Sequence, residues 1–385
     1  MRRPSLILSL AVAPIIAACA VDQPVTPLEP QPPSTNVNSV APMTRTYYIA
    51  ADEVNWNFAP SGINQITGKP FEGDELVFTE HGDTRIGTIY RKALYHGYTD
   101  ANFTTLKPID PAWAHLGSMG PLIRAVVGDT VKVVFKNNLR IPVSMHPHGF
   151  FYLKDSEGNS YDDGTSGEDK QDDKIMPGRT YTYIWVALPR SGPGPADGST
   201  VMWMYHSHVD EVRDVYAGLM GPIIITARNA ARPDGSSNEF DREFITNFEV
   251  VDENASHYID YNIEHFTDKP QKVDPEDEDF IESNLKHAIN GYIYGNLPLN
   301  TMSMRKGDRV RWYLMAMGTE VDLHTPHWHG VTVLEMGSRK DVVELLPASM
   351  LMVDLEPDNV GTWLFHCHVA DHITAGMTAR FRINP

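Results

Sequence analysis

Most of the chain alternates apolar and polar residues in short runs. Val131-Lys132-Val133-Val134-Phe135 follows a Gly128-Asp129 turn and stops at Asn137-Asn138. Tyr181-Thr182-Tyr183-Ile184-Trp185 follows Pro177-Gly178, and Arg309-Val310-Arg311-Trp312-Tyr313-Leu314 follows Gly307-Asp308. Successive side chains of a strand point to opposite faces, so such runs predict half-buried strands. Helix-period patterns are few. Many short strands bounded by Gly, Pro, Asn and Asp predict an all-β fold of the sandwich kind.

The order of features occurs twice. Gly128-Asp129, a strand, His146-Pro147-His148-Gly149, His206-Ser207-His208 and Ala217-Gly218-Leu219 fill the first half. Gly307-Asp308, a strand, His327-Trp328-His329-Gly330, His366-Cys367-His368 and Ala375-Gly376-Met377 fill the second. This internal duplication predicts two tandem Greek-key sandwiches, residues 45–228 and 240–385. Residues 229–239, with Arg232-Pro233-Asp234-Gly235-Ser236-Ser237, read as the linker.

The first residues read as targeting rather than fold. Arg2 and Arg3 precede an apolar run, Leu6 to Ala18, too short for a typical membrane span. Ile16-Ala17-Ala18-Cys19 resembles the lipobox of bacterial lipoproteins, which implies a signal peptide over 1–19, lipidation of Cys19 and an exported protein of the cell envelope. Residues 20–44, rich in Pro, Gln, Ser and Asn, suit an extended tether. The membrane would be touched only through the lipid. The remaining length suffices for two ordinary domains, and a net charge of -18 argues against nucleic acid as partner. The chain has two cysteines. With Cys19 lipidated, Cys367 has no disulfide partner and is kept for chemistry.

That chemistry is written in Phe365-His366-Cys367-His368-Val369-Ala370-Asp371-His372, followed by Met377. A thiolate, two imidazoles and a weak thioether are the ligands of a blue copper site. Of 16 histidines, ten fall in four groups, and His-X-His occurs four times. In a strand, each such pair offers two imidazoles on one face. Clustered imidazoles are costly to bury without a metal. Thiolate, thioether and imidazole together favour copper over zinc, and eight paired histidines suit a cluster of three copper ions.

His324-Thr325-Pro326-His327-Trp328-His329-Gly330 and His366-Cys367-His368 resemble the signature motifs of multicopper oxidases. The resemblance implies cupredoxin-like sandwiches and four coppers per chain. Cys367, His324, His372 and axial Met377 would bind the type 1 copper, and His146 and His327 the type 2 copper. His148, His206, His208, His329, His366 and His368 would bind the type 3 pair. The first half departs from the type 1 pattern, with Val143, Ser207 and Leu219 at its ligand positions, so no blue copper is expected there.

Residues from about 85 to 383 further resemble the ceruloplasmin and hephaestin branch, through Asp252-Glu253-Asn254, Glu282-Ser283-Asn284 and Tyr205-His206-Ser207-His208-Val209-Asp210 among others. That branch carries an iron site matched here by Glu282, His287 and Asp371. It also carries a calcium site in the loop matched by Lys154, Asp169, Asp172 and Asp173. Six sandwiches in a ring correspond to three two-domain chains, so the resemblance implies a homotrimer. Each trinuclear cluster would lie between domain 1 of one chain and domain 2 of its neighbour.

The expected reaction is one-electron oxidation of a donor, Fe(II) first, coupled to reduction of O2 to water. A laccase-like phenol oxidase or a Cu(I) oxidase would share every copper ligand. A copper-binding electron-transfer protein would explain Cys367 but leave the other histidines without a purpose. Copper nitrite reductases lack the second histidine of each pair. Met-X-Met, at Met202/Met204, Met302/Met304, Met315/Met317 and Met350/Met352, could bind Cu(I), but its strand spacing favours buried packing.

Overall fold

The computed structural model describes residues 40–385; the signal segment, Cys19 and most of the tether lie outside them. The first half holds β1 (Thr44–Asn57), β2 (Ile89–Tyr98), β3 (Ile123–Val126), β4 (Thr130–Asn137), β5 (His146–Pro147), β6 (Thr180–Val186), β7 (Thr200–His206) and β8 (Met220–Thr226). The second holds β9 (Arg242–Asp252), β10 (Leu285–Ile289), β11 (Ser303–Arg305), β12 (Val310–Ala316), β13 (Pro326–Trp328), β14 (Val333–Glu335), β15 (Ser338–Lys340), β16 (Met350–Leu355), β17 (Gly361–Cys367) and β18 (Thr378–Asn384). Five short helices punctuate them: α1 (Glu75–Thr79), α2 (Glu211–Ala217), α3 (Ile259–Phe266), α4 (Glu278–Ser283) and α5 (Ala370–Thr374).

Each half is a two-sheet sandwich with the same strand order. β2-β1-β4-β6 faces β3-β8-β7-β5, and β10-β9-β12-β16 faces β11-β18-β17-β13. The hairpin β14–β15 extends the second sandwich and has no counterpart in the first. Registers repeat as well: His146 pairs with His206 across β5 and β7, and His327 pairs with His366 across β13 and β17. The duplication read from motif order is therefore a duplication of backbone pairing.

Alternation fills each core. Val131, Val133 and Phe135 of β4 join Tyr183, Trp185 and Tyr205 inside the first sandwich. Trp312, Leu314, Phe365 and Phe381 do the same in the second. The opposite faces of β7, β8, β9 and β12 meet each other. Met202, Met204, Met220 and Ile224 pack there against Ile245, Tyr313, Met315 and Met317. The seam between the sandwiches is thus rich in methionine, whose unbranched chains fill irregular gaps. Met302 and Met304 instead enter the second core. The linker is not a free tether: Ala231 bridges Ser237, and the Gly235 carbonyl accepts from Thr226 Oγ1 at 2.6 Å.

Candidate metal centres

Cys367 ends β17 with its side chain inside the second core, so its neighbours His366 and His368 must project outward. The segment leading into β13 brings His324 beside it, and α5 brings His372. Cys367 Sγ lies 3.5 Å from His372 Nδ1 and 3.9 Å from His324 Nδ1, and the two Nδ1 atoms are 3.2 Å apart. Met377, fully buried, is tied to both arms: its N–H donates to the His372 carbonyl at 2.9 Å, and its carbonyl accepts from Cys367 N–H at 3.2 Å. That turn needs Gly376 at φ 107, a conformation open to glycine. Asp322 contacts His324 Nε2 at 3.2 Å and is itself held by the N–H groups of Val250 and Thr319. Such a carboxylate fixes the ring so that Nδ1 faces the metal position. Burial alone would raise the Cys367 thiol, but hydrogen bonds from His324, His372 and the Thr325 N–H bring it down to about 6, favouring thiolate.

The other sequence-predicted ligands form two sets built alike. His148 and His206 approach at 3.1 Å through Nε2, and His329 and His366 at 3.0 Å through Nε2. His146 Nδ1–H donates to the Glu157 carbonyl (2.6 Å) and His327 Nδ1–H to that of Asp341 (2.8 Å). His206 and His366 bond through Nδ1 to the carbonyls of Ser207 and Cys367. In all four rings Nε2 is left for a metal. His208 and His368 complete the sets, with ring centroids 5.3 Å from His146 and 5.4 Å from His327. Burial, then the neighbouring imidazoles, lowers His148 to about 4 and His206 to about 3, so both stay neutral as ligation requires. The glycine after each pair also has a reason. A Cβ on Gly149 would meet the Trp203 ring at 2.4 Å, and one on Gly330 the Trp363 ring at 2.5 Å.

These donors fit copper: a soft thiolate set in a dry core, and neutral imidazoles aimed outward from two sandwiches. The close imidazole pairs of these motifs run within a half, never between His146/His148/His206/His208 and His327/His329/His366/His368.

Residues 113–230 and residues 265–385 each match a family model described as multicopper oxidase. The chain belongs to the multicopper oxidase family. Human ferroxidase HEPHL1 is 44% identical over 348 residues, covering 90% of this chain and 30% of that protein. Rat hephaestin is 40% identical (88% and 29% covered), and mouse ceruloplasmin 41% identical (91% and 33% covered). The chain spans about a third of the length of these relatives. A solved multicopper oxidase superposes with TM-score 0.55 at 17% identity over 89% of each chain, and shows the shared fold.

Within this multicopper oxidase, the first sandwich carries other residues at the positions equivalent to the sulfur–imidazole set. Val143 bridges Ile175 as His324 bridges Leu345. Leu219 N–H donates to the Asp214 carbonyl as Met377 N–H does to that of His372. Ser207 therefore replaces Cys367, and Asp214 replaces His372. The Ser207 hydroxyl donates to Asp214 Oδ2 at 2.6 Å, and Asp214 Oδ1 meets His257 Nε2 at 2.9 Å. Sequence reading missed Asp214 and His257. Aligning the repeats on Ala217-Gly218-Leu219 and Ala375-Gly376-Met377 would have paired Asp214 with His372.

The predicted iron residues are partly assembled. His287, on β10 and 7% exposed, lies 5.2 Å from the His372 ring, with the Asp371 charge beside it. Burial, then His372, lowers it to about 4. Asp371 is exposed in the first turn of α5, and Glu282 is exposed on α4, which leads into β10. In the predicted calcium loop, Asp172 and Asp173 are buried and Asp169 is exposed. Asp172 Oδ2 accepts the Gly158 N–H at 2.7 Å, while the buried Oδ1 has no partner. An orphan carboxylate oxygen fits a hard cation. The Lys154 ammonium turns to Glu157 (2.5 Å) and Asp163 (3.0 Å).

Among the described residues, no helix is long and apolar enough to cross a membrane.

Proposed function

We propose that the chain is an oxidase that takes single electrons from Fe(II) and passes them to O2. Four Fe(II) ions each lose one electron, and one O2 with four protons becomes two waters. Copper, when bound by the sets above, supplies the one-electron relay and the multi-electron reduction of O2. The observation that carries the reading is covalent adjacency: Cys367, in the sulfur–imidazole set, is bonded through the backbone to His366 and His368 of the outer set. His372 lies toward the donor side, next to Asp371 and His287. Carboxylates stabilise Fe(III) over Fe(II), which lowers the couple's potential and favours electron loss. Glu282, His287 and Asp371 would hold the iron. The ferroxidase name of a relative supports the same substrate.

Each half supplies four imidazoles on an outer sheet face, and the two groups make no recorded contact within the chain. A closed three-copper cluster then needs domain 2 of a second copy against domain 1, which supports a homotrimer. Calcium would sit at Asp172 with Lys154, Asp169 and Asp173. Cys19 would carry a lipid on an exported protein.

The reading is tested by metal analysis, light scattering and oxygen uptake with Fe(II), Cu(I) and a phenol. Four coppers per chain, a trimer and uptake fastest with Fe(II) are expected. One copper per chain without oxygen uptake would leave an electron-transfer protein instead. Faster turnover of the phenol or of Cu(I) would reassign the substrate while keeping the oxidase.

A further inference from the structure

The loop that holds Asp172 is wired to the histidines of the first half. Asp172 Oδ2 accepts the Gly158 N–H at 2.7 Å. The Gly158 carbonyl accepts the Ser144 hydroxyl at 2.6 Å, and that hydroxyl oxygen accepts the His208 N–H at 3.0 Å. Ser144 N–H donates to Ser207 Oγ at 3.0 Å. The preceding loop carbonyl, of Glu157, accepts from His146 Nδ1 at 2.6 Å. One buried carboxylate thus pins the dipeptide Glu157-Gly158. That dipeptide in turn orients His146 directly and His208 through one serine. The arrangement leaves little slack, since a Cβ on Gly158 would lie 2.4 Å from the Met145 carbonyl.

The second half is built differently at this point. Thr325 follows His324 as Ser144 follows Val143, and its hydroxyl oxygen likewise accepts the His368 N–H, at 3.2 Å. Thr325 Oγ1, however, faces Cys367 Sγ at 4.0 Å and not a loop carbonyl. His327 is oriented by Asp341, beside the hairpin β14–β15, and not by an acidic loop. Only the first half couples its imidazoles to a carboxylate whose second oxygen, fully buried, lacks a partner. That free oxygen is where a hard divalent cation would bind, and ligand-bracing contacts of this kind typically change metal affinity tenfold or more.

We propose that a calcium ion at Asp172 fixes His146 through the Glu157 carbonyl and His208 through Ser144, which makes Ser144 a positioning residue. The proposal rests on the calcium and copper readings above. Calcium would order Glu157-Gly158 and so set the copper affinity and geometry of the first-half imidazoles. The sulfur–imidazole set of the second half would be untouched.

The test uses the copper-loaded protein, stripped of calcium with a calcium-selective chelator and then titrated with CaCl2. Calcium binding is read by calorimetry, the copper held in part by His146 by its type 2 electron paramagnetic resonance signal, the pair held in part by His208 by its near-ultraviolet absorbance, and the sulfur–imidazole set by its blue absorbance. Calcium is expected to shift the type 2 signal and the near-ultraviolet band reversibly, slow copper loss to a competing chelator about tenfold, and leave the blue band unchanged. Ser144→Ala should still bind calcium and keep the type 2 shift, which His146 carries, but lose the near-ultraviolet response of His208. Ser144→Thr, which keeps the hydroxyl as Thr325 does, should retain it. Calcium binding with no shift in the type 2 signal, or a Ser144→Ala protein whose near-ultraviolet band still responds as the parent's does, would overturn the coupling alone. Absence of any calcium binding would overturn the calcium reading and the coupling with it.

Discussion

Ser207 occupies in the first sandwich the backbone position that Cys367 occupies in the second. Both are flanked by outward imidazoles, and both donate their N–H to the residue after a left-handed glycine, at 3.0 and 3.2 Å. Cys367→Ser should abolish the blue absorbance while leaving the fold intact. Ser207→Cys should create no second blue centre, because Val143, Asp214 and Leu219 stand where ligands are needed. A new band should require Val143→His, Asp214→His and Leu219→Met as well. Visible spectra of the single and fourfold variants decide this, and a blue band in Ser207→Cys alone would contradict the assignment of equivalent positions.

Lys92 of β2 and Glu253 after β9 form a buried ion pair across the two sandwiches, exposed by only 2% and 0%. The Lys92 ammonium also donates to the Tyr216 carbonyl at 2.7 Å. Removing one partner leaves an uncompensated buried charge, so Lys92→Met should cost about 3–5 kcal/mol in urea unfolding. Lys92→Met with Glu253→Leu should recover much of that loss. Additive losses in the double variant would show that the pair is not coupled.

Glu249 gives the stability a pH dependence of known sign. Burial, then the Asp322 charge, raises it to about 8, with Lys92, Asn247 and Glu253 also nearby. Between its unfolded value near 4.5 and 8, the folded chain holds a proton the unfolded chain has lost. Stability should therefore fall as pH rises through that window. Glu249→Gln cannot ionise and should flatten the slope, with a gain at pH 8 of at most the order of 4 kcal/mol. Denaturant midpoints from pH 5 to 8.5 measure it.

Glu282→Gln with Asp371→Asn should raise KM for Fe(II) roughly tenfold or more, as for loss of bracing or ligating groups. Phenol oxidation and the blue band should change little, since neither residue touches Cys367. Equal losses with every donor would remove these carboxylates from the iron site.

Much of this was legible in the chain itself. His-X-His at strand ends, the lone Cys367 and the repeated Gly-Asp turns carry local geometry, because a period of two fixes which side chains share a face. What sequence concealed depends on contacts distant along the chain. Lys286 looks like a surface lysine, yet it is fully buried and donates to the carbonyls of Phe78, Gly87 and Ser283. Asp214 sits among charged neighbours that suggest a solvated turn, and His257 reaches it from beyond the linker. Three of the four methionine pairs are buried as their spacing suggests and Met350/Met352 are half-buried, but alternation cannot say whether a face meets its own sandwich or the next one. Glu282 matched by residue type, and its helix leaves it on the exposed side.

The repeated register of His146–His206 and His327–His366 also has a historical meaning. A single ancestral sandwich, carrying one redox centre inside and four imidazoles outside, would already have been a complete half. Of the two present copies, one carries the thiolate, while the other carries Ser207 and Asp214 at the matching positions, and both have four outward histidines. On the function proposed above, the two copies would then answer to separate demands: one to receive electrons, the other only to help spend them.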